Sequence, residues 1–523
     1  MPSPREQHPT IAVRAATPMR RTAVAALAAA VAATACATPT ARSSTSERST
    51  AVRVAAGGRA ARPTPSRGAA PGATAFVNVT VLPMDSERVL ERQTVVVRDG
   101  RIAALGPTSR VSVPAGAARI DGAGKYLMPG LAEMHAHVPG ANAPQQLVRD
   151  IMFLYVANGV TTIRGMLGAP NQLTLRAQTA SGEVLGPTIF VGAPSLSGTS
   201  APTPDVAARL IREHKAAGYD FLKLHPGLSR TVYDTIVATS RAVGITFAGH
   251  ISQAVGLDHT LASRQSTIDH LDGYVEASAS DEVKARMLGG EAVPLGEMMR
   301  GVDDARIRRY AAATREAGVW NVPTAFLWES FSSTESPEVT AQRPEMKYAP
   351  RTMVAGWVNQ KRTRDQTDRR SGVTAEDARA YLAARRKVLK ALGDAGAPLL
   401  MGTDSPQMFN VPGFALHREI ALMAEVGLTP YQILAAGTRN VATYAERDLK
   451  LDGKFGTVAV GNRADLVLLD ANPLADIANV AKRAGVMVRG RWVPASEIGR
   501  MLDELAARNA AAPPPAAPPG RAR

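Results

Sequence analysis

Two histidines one residue apart, His135 and His137, stand in the apolar stretch LAEMHAHV at residues 131–138. In a β-strand, residues i and i+2 point to the same side and lie about 6–7 Å apart. Two imidazoles at that spacing can converge on one metal ion. The pattern therefore indicates a metal site, and two structural histidines on one strand face are the alternative that the spacing leaves open.

Four further residues that can bind a metal or move a proton stand near the C-terminal ends of other apolar stretches: Lys223, His250, His270 and Asp404. Each also has an ordinary structural interpretation. A lysine after a strand is usually solvated, a lone histidine is usually structural, and an aspartate often caps a helix. In barrel enzymes, however, the chemistry lies at the C-terminal ends of the strands. We therefore expect these residues to meet the two histidines there.

Alternating strand-like and helix-like segments fill residues 127–448. Amphipathic segments at 204–218, 229–243, 304–318 and 375–396 separate short apolar runs, and this alternation predicts a parallel sheet of the α/β class. Eight units over this length fit a (β/α)8 TIM barrel. A doubly wound open sheet is the alternative, but no glycine-rich dinucleotide motif follows the first strand. The eight apolar runs are LAEMHAHV, GVTTIRGM, TIFVGAP, DFLKLH, ITFAGH, STIDHL, VWNVPTAFL and PLLMGTDS.

Two stretches of the barrel region, 276–302 and 327–372, exceed ordinary loop length, and we expect them to be long loops that cover the active site. β-rich segments flank the barrel at 76–126 and 449–497, and the first carries an Asp-Gly hairpin signal. We expect these flanking segments to pair into a composite β-sandwich module, formed by chain before and after the barrel.

The N-terminal segment from Met19 to Cys36 has two arginines, a run of small apolar residues and a small-residue exit, which is the pattern of an export signal. Its apolar run is roughly 14 residues, shorter than the ~20 that a membrane-spanning helix needs. The end, ATAC, resembles a bacterial lipobox. We expect 1–36 to be a lipoprotein-type signal, with Met1 or Met19 as the start, and the protein to be exported to the periplasm or cell envelope and anchored at Cys36. An alanine-rich tail with a chance cysteine is the alternative.

Composition sets further bounds on partners. Residues 37–75 predict a disordered linker, and 498–523 predict the end of a helix followed by a disordered tail. Of the net charge of +15, ten Arg and two Glu in 1–75 contribute +8 and two Arg in 510–523 contribute +2, which leaves +5 for the residues between. No basic stripe interleaved with aromatic residues occurs there, so we expect no nucleic-acid partner. The single cysteine excludes an intrachain disulfide.

The motifs PGLAEMHAHV, FLKLH, AGHI, IDHLDG and MGTDS resemble, in order and spacing, those of the amidohydrolase superfamily. The resemblance covers about 76–495, and it is strongest to the imidazolonepropionase/prolidase-like branch of metal-dependent hydrolases. It implies that His135, His137 and Asp404 bind one zinc ion and that His250 and His270 bind a second. It also implies that Lys223 carries a carbamate derived from carbon dioxide and bridges the two ions. A single-metal site with unmodified Lys223 is the alternative.

The resemblance further implies a mechanism. A metal-bridging hydroxide would attack a polarised carbonyl, with Asp404 as the proton shuttle to the leaving amine. The expected reaction is cleavage of an amide bond in a small molecule with a free carboxylate, such as a dipeptide or an N-acyl amino acid. A lactonase, cyclic amidase or phosphotriesterase using the same centre is the alternative, and a non-catalytic surface binding protein is a second one. A homo-oligomer is compatible with either.

Several residues near the predicted site are candidates for substrate contacts. Arg164 and Arg230 are expected to hold a carboxylate, because a guanidinium can bind one through two hydrogen bonds. His225 faces the same side as Lys223 and either contacts substrate or fills the upper core. Related sequences often have VRDM where this chain has IRGM, which puts the role of that loop in doubt. Tyr274 and His417 complete the set of candidates.

Overall fold

The computed structural model describes residues 72–513. The predicted export signal at 1–36, most of the predicted linker at 37–75 and the end of the predicted C-terminal tail therefore lie outside the described residues. Within the described part, no helix combines the length and the apolar character needed to cross a membrane.

Residues 72–513 form fifteen strands. They are β1 Thr74–Val81, β2 Leu90–Arg98, β3 Arg101–Pro107, β4 Ala118–Asp121, β5 Tyr126–Pro129, β6 Leu131–Ala136, β7 Val160–Gly165, β8 Thr188–Val191, β9 Phe221–Leu224, β10 Thr246–Gly249, β11 Thr267–Asp269, β12 Trp320–Val322, β13 Leu466–Leu469, β14 Arg483–Val488 and β15 Arg491–Pro494.

Seventeen α-helices are described. They are α1 Gln145–Ala157, α2 Pro170–Ser181, α3 Pro204–Ala217, α4 Arg230–Val243, α5 Gly256–Ser263, α6 Tyr274–Ala277, α7 Asp281–Leu288, α8 Leu295–Arg300, α9 Asp304–Ala317, α10 Ala325–Ser332, α11 Pro337–Thr340, α12 Arg351–Arg370, α13 Ala375–Ala395, α14 Phe414–Glu425, α15 Pro430–Ala436, α16 Arg439–Arg447 and α17 Ala495–Ala511.

Parallel strands at the centre of the molecule carry the residues of interest. β6, β7 and β8 form one parallel sheet, and β9 to β12 form a second. Every residue of β6 and β7 is buried, as expected for a parallel sheet covered on both faces. Isolated parallel bridges between Gly192 and Phe221 and between Leu196 and Leu224 connect the two sheets. The architecture is a TIM-barrel-like α/β fold, as the alternation of strands and helices predicts.

The first seven predicted barrel runs correspond to β6 through β12, whereas the eighth, PLLMGTDS, forms no regular strand. It still lies between β12 and β6. The amide of Leu400 donates to Asn321 O at 2.8 Å, and the amide of Met134 donates to Met401 O at 2.8 Å. Isolated parallel bridges join Asn321 to Leu399 and Ala136 to Ser405. Asp404 is therefore carried by an extended segment beside the strand that carries His135.

The helices begin and end where local sequence signals place them. Thr203 caps the N-terminus of helix α3, because its hydroxyl accepts a hydrogen bond from the Val206 amide. Pro204 is the first residue of the helix. Helix α13 has a capping box, in which Thr374 and Asp377 each bind the other's backbone amide. The four predicted amphipathic segments match α3, α4, α9 and α13 to within a residue or two at either end.

The prediction of two long loops is wrong. Residues 276–302 contain the end of α6 with α7 and α8, and 327–372 contain most of α10 with α11 and α12. The helical pattern is weak because these helices bury little of their surface. Of the twenty residues of α12, Trp357 and Lys361 are buried, so the apolar stripe that normally marks a helix is almost missing.

The segments before and after the barrel meet in one sheet with the order β15-β14-β13-β5-β1-β2-β3, and β4 pairs with β1. The joint is the antiparallel pair of β5 and β13, in register from Tyr126 opposite Leu469 to Pro129 opposite Leu466. Side chains from both segments share one apolar core. The predicted composite of the two end segments is therefore present as an eight-stranded sheet.

Candidate metal centre

Five histidine rings lie in a continuous row at the C-terminal ends of the central strands. The distances between neighbouring ring centroids are 5.7 Å from His137 to His135, 4.4 Å from His135 to His270, 4.5 Å from His270 to His250 and 5.1 Å from His250 to His225. Four separate parts of the chain supply these rings, at the ends of β6, β9, β10 and β11, as predicted from the ends of the apolar runs. Their meeting leaves little room for the alternative of unrelated structural histidines.

Asp404 faces the first part of this row. Its Oδ1 lies 2.6 Å from His137 Nε2 and 3.6 Å from His135 Nε2, and its Oδ2 lies 3.8 Å from His270 Nδ1. His135, His270 and Asp404 each offer one ligand atom, and these atoms lie within 4.8 Å of one another. Two imidazoles and a carboxylate are ligands that suit zinc and related divalent ions.

The chemistry of the buried atoms fits a metal ion. His137 Nε2 and Asp404 Oδ1 are buried, and neither has a hydrogen-bond partner in the described chain although they are 2.6 Å apart. Buried polar atoms are normally satisfied by hydrogen bonds. A cation held between imidazole nitrogens and a carboxylate would satisfy both atoms.

The ionisation of the ligands points the same way. Burial lowers the pKa of His135 and of His270 well below the usual value, so both rings are neutral near pH 7 and can bind a metal. Burial opposes ionisation of Asp404, but the neighbouring His135 and His137 outweigh it and lower the pKa of Asp404 to about 2. The aspartate is therefore a carboxylate.

Lys223 lies on β9, fully buried beneath the row of rings. Burial is the main cause of the lowered pKa of His135 and of His270, and the positive charge of Lys223 adds to it. The neighbouring β10 leaves space for it through Gly249. A Cβ at Gly249 would lie 3.1 Å from Lys223 Cδ and 2.5 Å from Leu224 O, and the φ angle of Gly249 is +125°. A larger residue there would displace the lysine.

Left-handed backbone conformations concentrate at this mouth. His270, Leu271, Thr324 and Asp404 all have positive φ angles, between 44° and 64°. Such conformations cost on the order of 1–3 kcal/mol each for residues other than glycine and cluster at functional sites. Two of these residues, His270 and Asp404, face each other, with His270 Nδ1 and Asp404 Oδ2 3.8 Å apart.

The histidines are held from behind by groups that the sequence interpretation missed. His135 Nδ1 lies 2.9 Å from Asp269 Oδ2, His250 Nδ1 is hydrogen-bonded to Asp272 Oδ2 at 2.8 Å, and His270 Nδ1 is hydrogen-bonded to Thr324 Oγ1 at 2.8 Å. Such contacts orient metal-binding imidazoles. The motif IDHLDG contains two of these residues, on either side of His270, and that proximity was the available signal.

The prediction that Arg164 binds a substrate carboxylate is wrong. Its side chain is fully buried below the mouth, where it donates to Met134 O at 2.7 Å and binds both carboxylate oxygens of Asp269 at 3.1 and 3.2 Å. Hydrogen bonds to Thr267 and Tyr444 satisfy the rest of the guanidinium. Arg164 therefore supports Asp269, which in turn contacts His135.

Three other proposed substrate contacts are also placed elsewhere. Arg230 is an exposed residue of α4 that pairs with Asp234 one helical turn away. Tyr274 is buried, and its hydroxyl is hydrogen-bonded to Thr314. His417 lies on α14 and contacts the guanidinium of Arg483 at 2.8 Å, which ties the barrel region to β14. A position next to a strand end in sequence did not bring these side chains into the mouth.

The structure keeps His225 in the candidate site, where it forms one end of the row of rings. It is 8% exposed and stacks on His250 with an interplanar angle of 27°. Burial, followed by the nearby Lys223, lowers its pKa well below the usual range. A neutral imidazole at this position can contact a substrate bound beside His250.

Two buried glutamates hold the frame of the site. Glu133 accepts from the amides of His135 and Thr403 and from the Thr403 hydroxyl, which links β6 to the segment carrying Asp404. Burial raises its pKa to about 8. Glu419 of α14 accepts from the amides of Ala325 and Phe326 at the start of α10, and burial raises its pKa to about 7.

Comparison with known proteins agrees with this geometry. Over 76 residues, or 14% of this chain, the sequence is 41% identical to enamidase of Eubacterium barkeri, and the match spans a fifth of that enzyme's length. A bottromycin amidohydrolase structure aligns with a TM-score of 0.63 and 23% identity over 84% of this chain and 90% of that one. A Xaa-Pro dipeptidase structure aligns with a TM-score of 0.58 and 18% identity over 81% of this chain and all of that one.

A family comparison covers most of the sequence. The model of the amidohydrolase family matches residues 126–493, from β5 to β15. This range contains all six residues that the motifs proposed as metal ligands. The chain is an enzyme and belongs to the amidohydrolase family.

Proposed function

We propose that the protein hydrolyses an amide bond of a small molecule, such as an N-acyl amino acid or a dipeptide, at a metal centre at the mouth of the barrel. The observation that carries the proposal is the convergence of His135, His270 and Asp404, with ligand atoms within 4.8 Å, beside His137 and His250. The family supports metal-dependent hydrolysis, and the similarity to a dipeptidase and to amidohydrolases of known structure supports an amide substrate.

The chain's own residues have distinct roles in this proposal. Divalent cations bound here would polarise the scissile carbonyl and make a water molecule more acidic. Asp404, a buried carboxylate, accepts the proton of the attacking water and passes it to the leaving nitrogen. His225 lies beside His250, where it can donate or accept a hydrogen bond with the substrate.

We further propose that two ions bind, zinc being the expected metal, and that Lys223 carries a carbamate. Support comes from the full burial of Lys223 near the row of imidazoles, where an ammonium would repel a dication. Loss of a proton from the amine and addition of carbon dioxide would convert it into an anionic oxygen ligand. Intact-protein mass spectrometry of the zinc-loaded protein would show the mass of one added carbon dioxide, which Lys223→Met would remove.

The experiment that tests the function compares substrate classes on one preparation. The protein is stripped with a chelator, reconstituted with zinc, and assayed on N-acetyl amino acids, dipeptides, lactones and a phosphotriester. The proposal expects turnover of the amides that is lost on chelation and restored by zinc. Turnover of the lactones or the phosphotriester in the absence of amide hydrolysis would contradict it.

We propose that the two parallel sheets and the segment 398–405 close into an eight-stranded (β/α)8 barrel, which the bridges Asn321–Leu399 and Ala136–Ser405 support. We also propose that the composite sheet folds over into a sandwich. Phe76 of β1 and Trp492 of β15 support this, because their rings are 5.3 Å apart although other strands separate them within the sheet.

We also propose that the protein is exported and carries a lipid anchor at Cys36, which the sequence pattern between Met19 and Cys36 supports. Metabolic labelling with a radioactive fatty acid would test it. Label on the native protein that is missing from Cys36→Ala is the expected result, and equal label on both would contradict the anchor.

A further inference from the structure

A cavity of about 920 Å³ opens next to the candidate metal centre. Its walls come from the loops after β9, β10 and β11, from α7 and α8, and from α10, α12 and α13. Most of the helical wall lies in 276–302 and 327–372, the two stretches that the sequence predicted to be long loops. Apolar side chains dominate the lining, including Ile251, Leu257, Met287, Leu288, Met298 and Phe331.

Two connections join this cavity to the metal centre. Asp272 lines the cavity and is hydrogen-bonded to His250 at 2.8 Å. Trp328 and Tyr381 also line it, and both contact the guanidinium of Arg385, at 4.1 and 5.5 Å from the ring centres. Arg385 in turn donates a hydrogen bond to the carbonyl of His270. A molecule in the cavity is therefore one side chain away from His250.

The charges of the lining argue against an anionic group inside the cavity. Lys284, Lys361 and Arg364 line it, but they pair with Asp258, Asp365 and Asp368 respectively. Asp272 and Glu276 add two carboxyl groups to the lining of the cavity. The remaining lining cation, Arg369, is exposed. Apart from this exposed arginine, a carboxylate would meet committed cations and acidic neighbours, whereas an uncharged chain would meet apolar side chains.

We propose that this cavity binds a long apolar acyl chain, so that the substrates are N-acyl amino acids with the acyl chain in the cavity and the amino acid outside it. This inference rests on the proposed amide hydrolysis. A cavity of about 920 Å³ lies near the upper end of the ~300–1,000 Å³ range of sites for drug-sized ligands, and a short dipeptide would leave much of it empty. Two methionines in the wall, Met287 and Met298, suit flexible chains of variable length.

The test uses the full, zinc-reconstituted protein and a series of N-acylglycines with acetyl, hexanoyl and decanoyl chains. We expect kcat/KM to rise by roughly fourfold for each added methylene until the cavity is filled. A value that stays flat or falls with chain length, while acetylglycine is hydrolysed, would overturn the acyl-chain assignment and leave the proposed function intact.

A matched pair of variants on α13 sharpens the result. Ala378 lines the cavity, whereas Ala383 is exposed on another side of the same helix. Ala378→Trp fills the cavity, so the ratio of kcat/KM for decanoylglycine over acetylglycine should fall by about tenfold or more. Ala383→Trp should leave that ratio within about twofold of the original. An equal change in both variants would contradict the assignment.

A measurement of ligand binding distinguishes a wrong cavity assignment from a wrong proposed function. Calorimetry on Asp404→Asn measures binding of decanoylglycine and acetylglycine without hydrolysis. Tighter binding of decanoylglycine, lost in the double variant with Ala378→Trp, would support the cavity assignment even if the native protein hydrolysed no acylglycine. Equal binding of the two ligands would overturn the assignment.

Discussion

The floor and the wall of the site are built differently. The floor consists of buried side chains at the ends of parallel strands, where ligands, carboxylates and Arg164 contact one another at fixed distances. The wall consists of helices such as α8 and α12, which bury few of their residues. Under the proposed function, the chemistry would depend on a rigid frame shared across strands. The choice of substrate would depend on segments that can change without disturbing that frame.

The largest effect is expected at the floor itself. Asp404→Asn keeps the shape of the side chain but cannot take the proton of the attacking water. We expect kcat for N-acetyl amino acids to fall by about 10³-fold, within the range for loss of a general base. Metal content, measured by emission spectroscopy, should stay above half of the native level.

The matched control for that variant is Asp234→Asn, which changes an exposed aspartate of α4. It should leave kcat within about twofold of the native value. If Asp404→Asn lost less than about tenfold, the proton-transfer role would be wrong.

The next largest effect lies directly beneath the floor. Arg164→Met leaves Asp269 as a buried charge without its main partner, and both side chains are fully buried. We expect a loss of about 3–5 kcal/mol in the free energy of unfolding, measured with urea on the metal-free protein. Zinc affinity, measured by chelator competition, should weaken by about 10–100-fold, because Asp269 orients His135.

The double variant Arg164→Met with Asp269→Asn provides the control for this pair. It removes the unpaired charge, so much of the lost stability should return while zinc affinity stays weak. A double variant as unstable as the sum of the two single variants would show that the two residues act independently.

A third effect is expected where floor and wall join, at Glu419. Its carboxyl accepts from two amides at the start of α10. Burial raises the pKa of Glu419 to about 7 from 4.5. Because the folded protein holds the proton more tightly, the stability from this group is fully present below about pH 4.5 and is lost as the pH rises through about 7.

Glu419→Gln imitates the protonated form at every pH. Relative to the native protein, the variant should therefore gain up to about 3 kcal/mol in unfolding free energy between pH 4.5 and pH 8. Urea titrations of both proteins across that range provide the measurement. A difference that does not change with pH would show that Glu419 titrates normally.

The smallest effect is expected outside the wall. Arg230 is exposed and pairs with Asp234 on its own helix. Arg230→Ala should change kcat/KM by less than about twofold and stability by less than about 0.5 kcal/mol. A large rise in KM for carboxylate substrates would restore the role expected from the sequence and would move substrate binding away from the cavity.

The strand periodicity explains why the floor could be predicted. His135 and His137 face one side because the period of a strand is two, and Lys223, His250 and His270 stand at the ends of neighbouring strands. Asp404 was located in the same way, although its segment is not a regular strand. The resemblance to the amidohydrolase superfamily added the expected roles, and the family match confirms the membership.

The partners of buried polar groups could not be predicted from the sequence. Arg164 was correctly placed at the end of its strand, but its contact with Asp269 joins two strands that are far apart in the chain. Tyr274 and His417 were misjudged because burial by distant segments decides which way they face. The wall helices were missed because mostly polar helices lack the apolar period.

The pairing of β5 with β13 has a consequence for how the molecule is made. During synthesis β5 leaves the ribosome long before β13 has been made, because more than 300 residues separate the two strands. One edge of β5 therefore stays unpaired during that time. The flanking sheet can be finished only after the chain as far as Pro494 has been synthesised. A nascent chain stopped before Leu466 would expose that edge to other chains, and aggregation of such truncated products would be the visible sign.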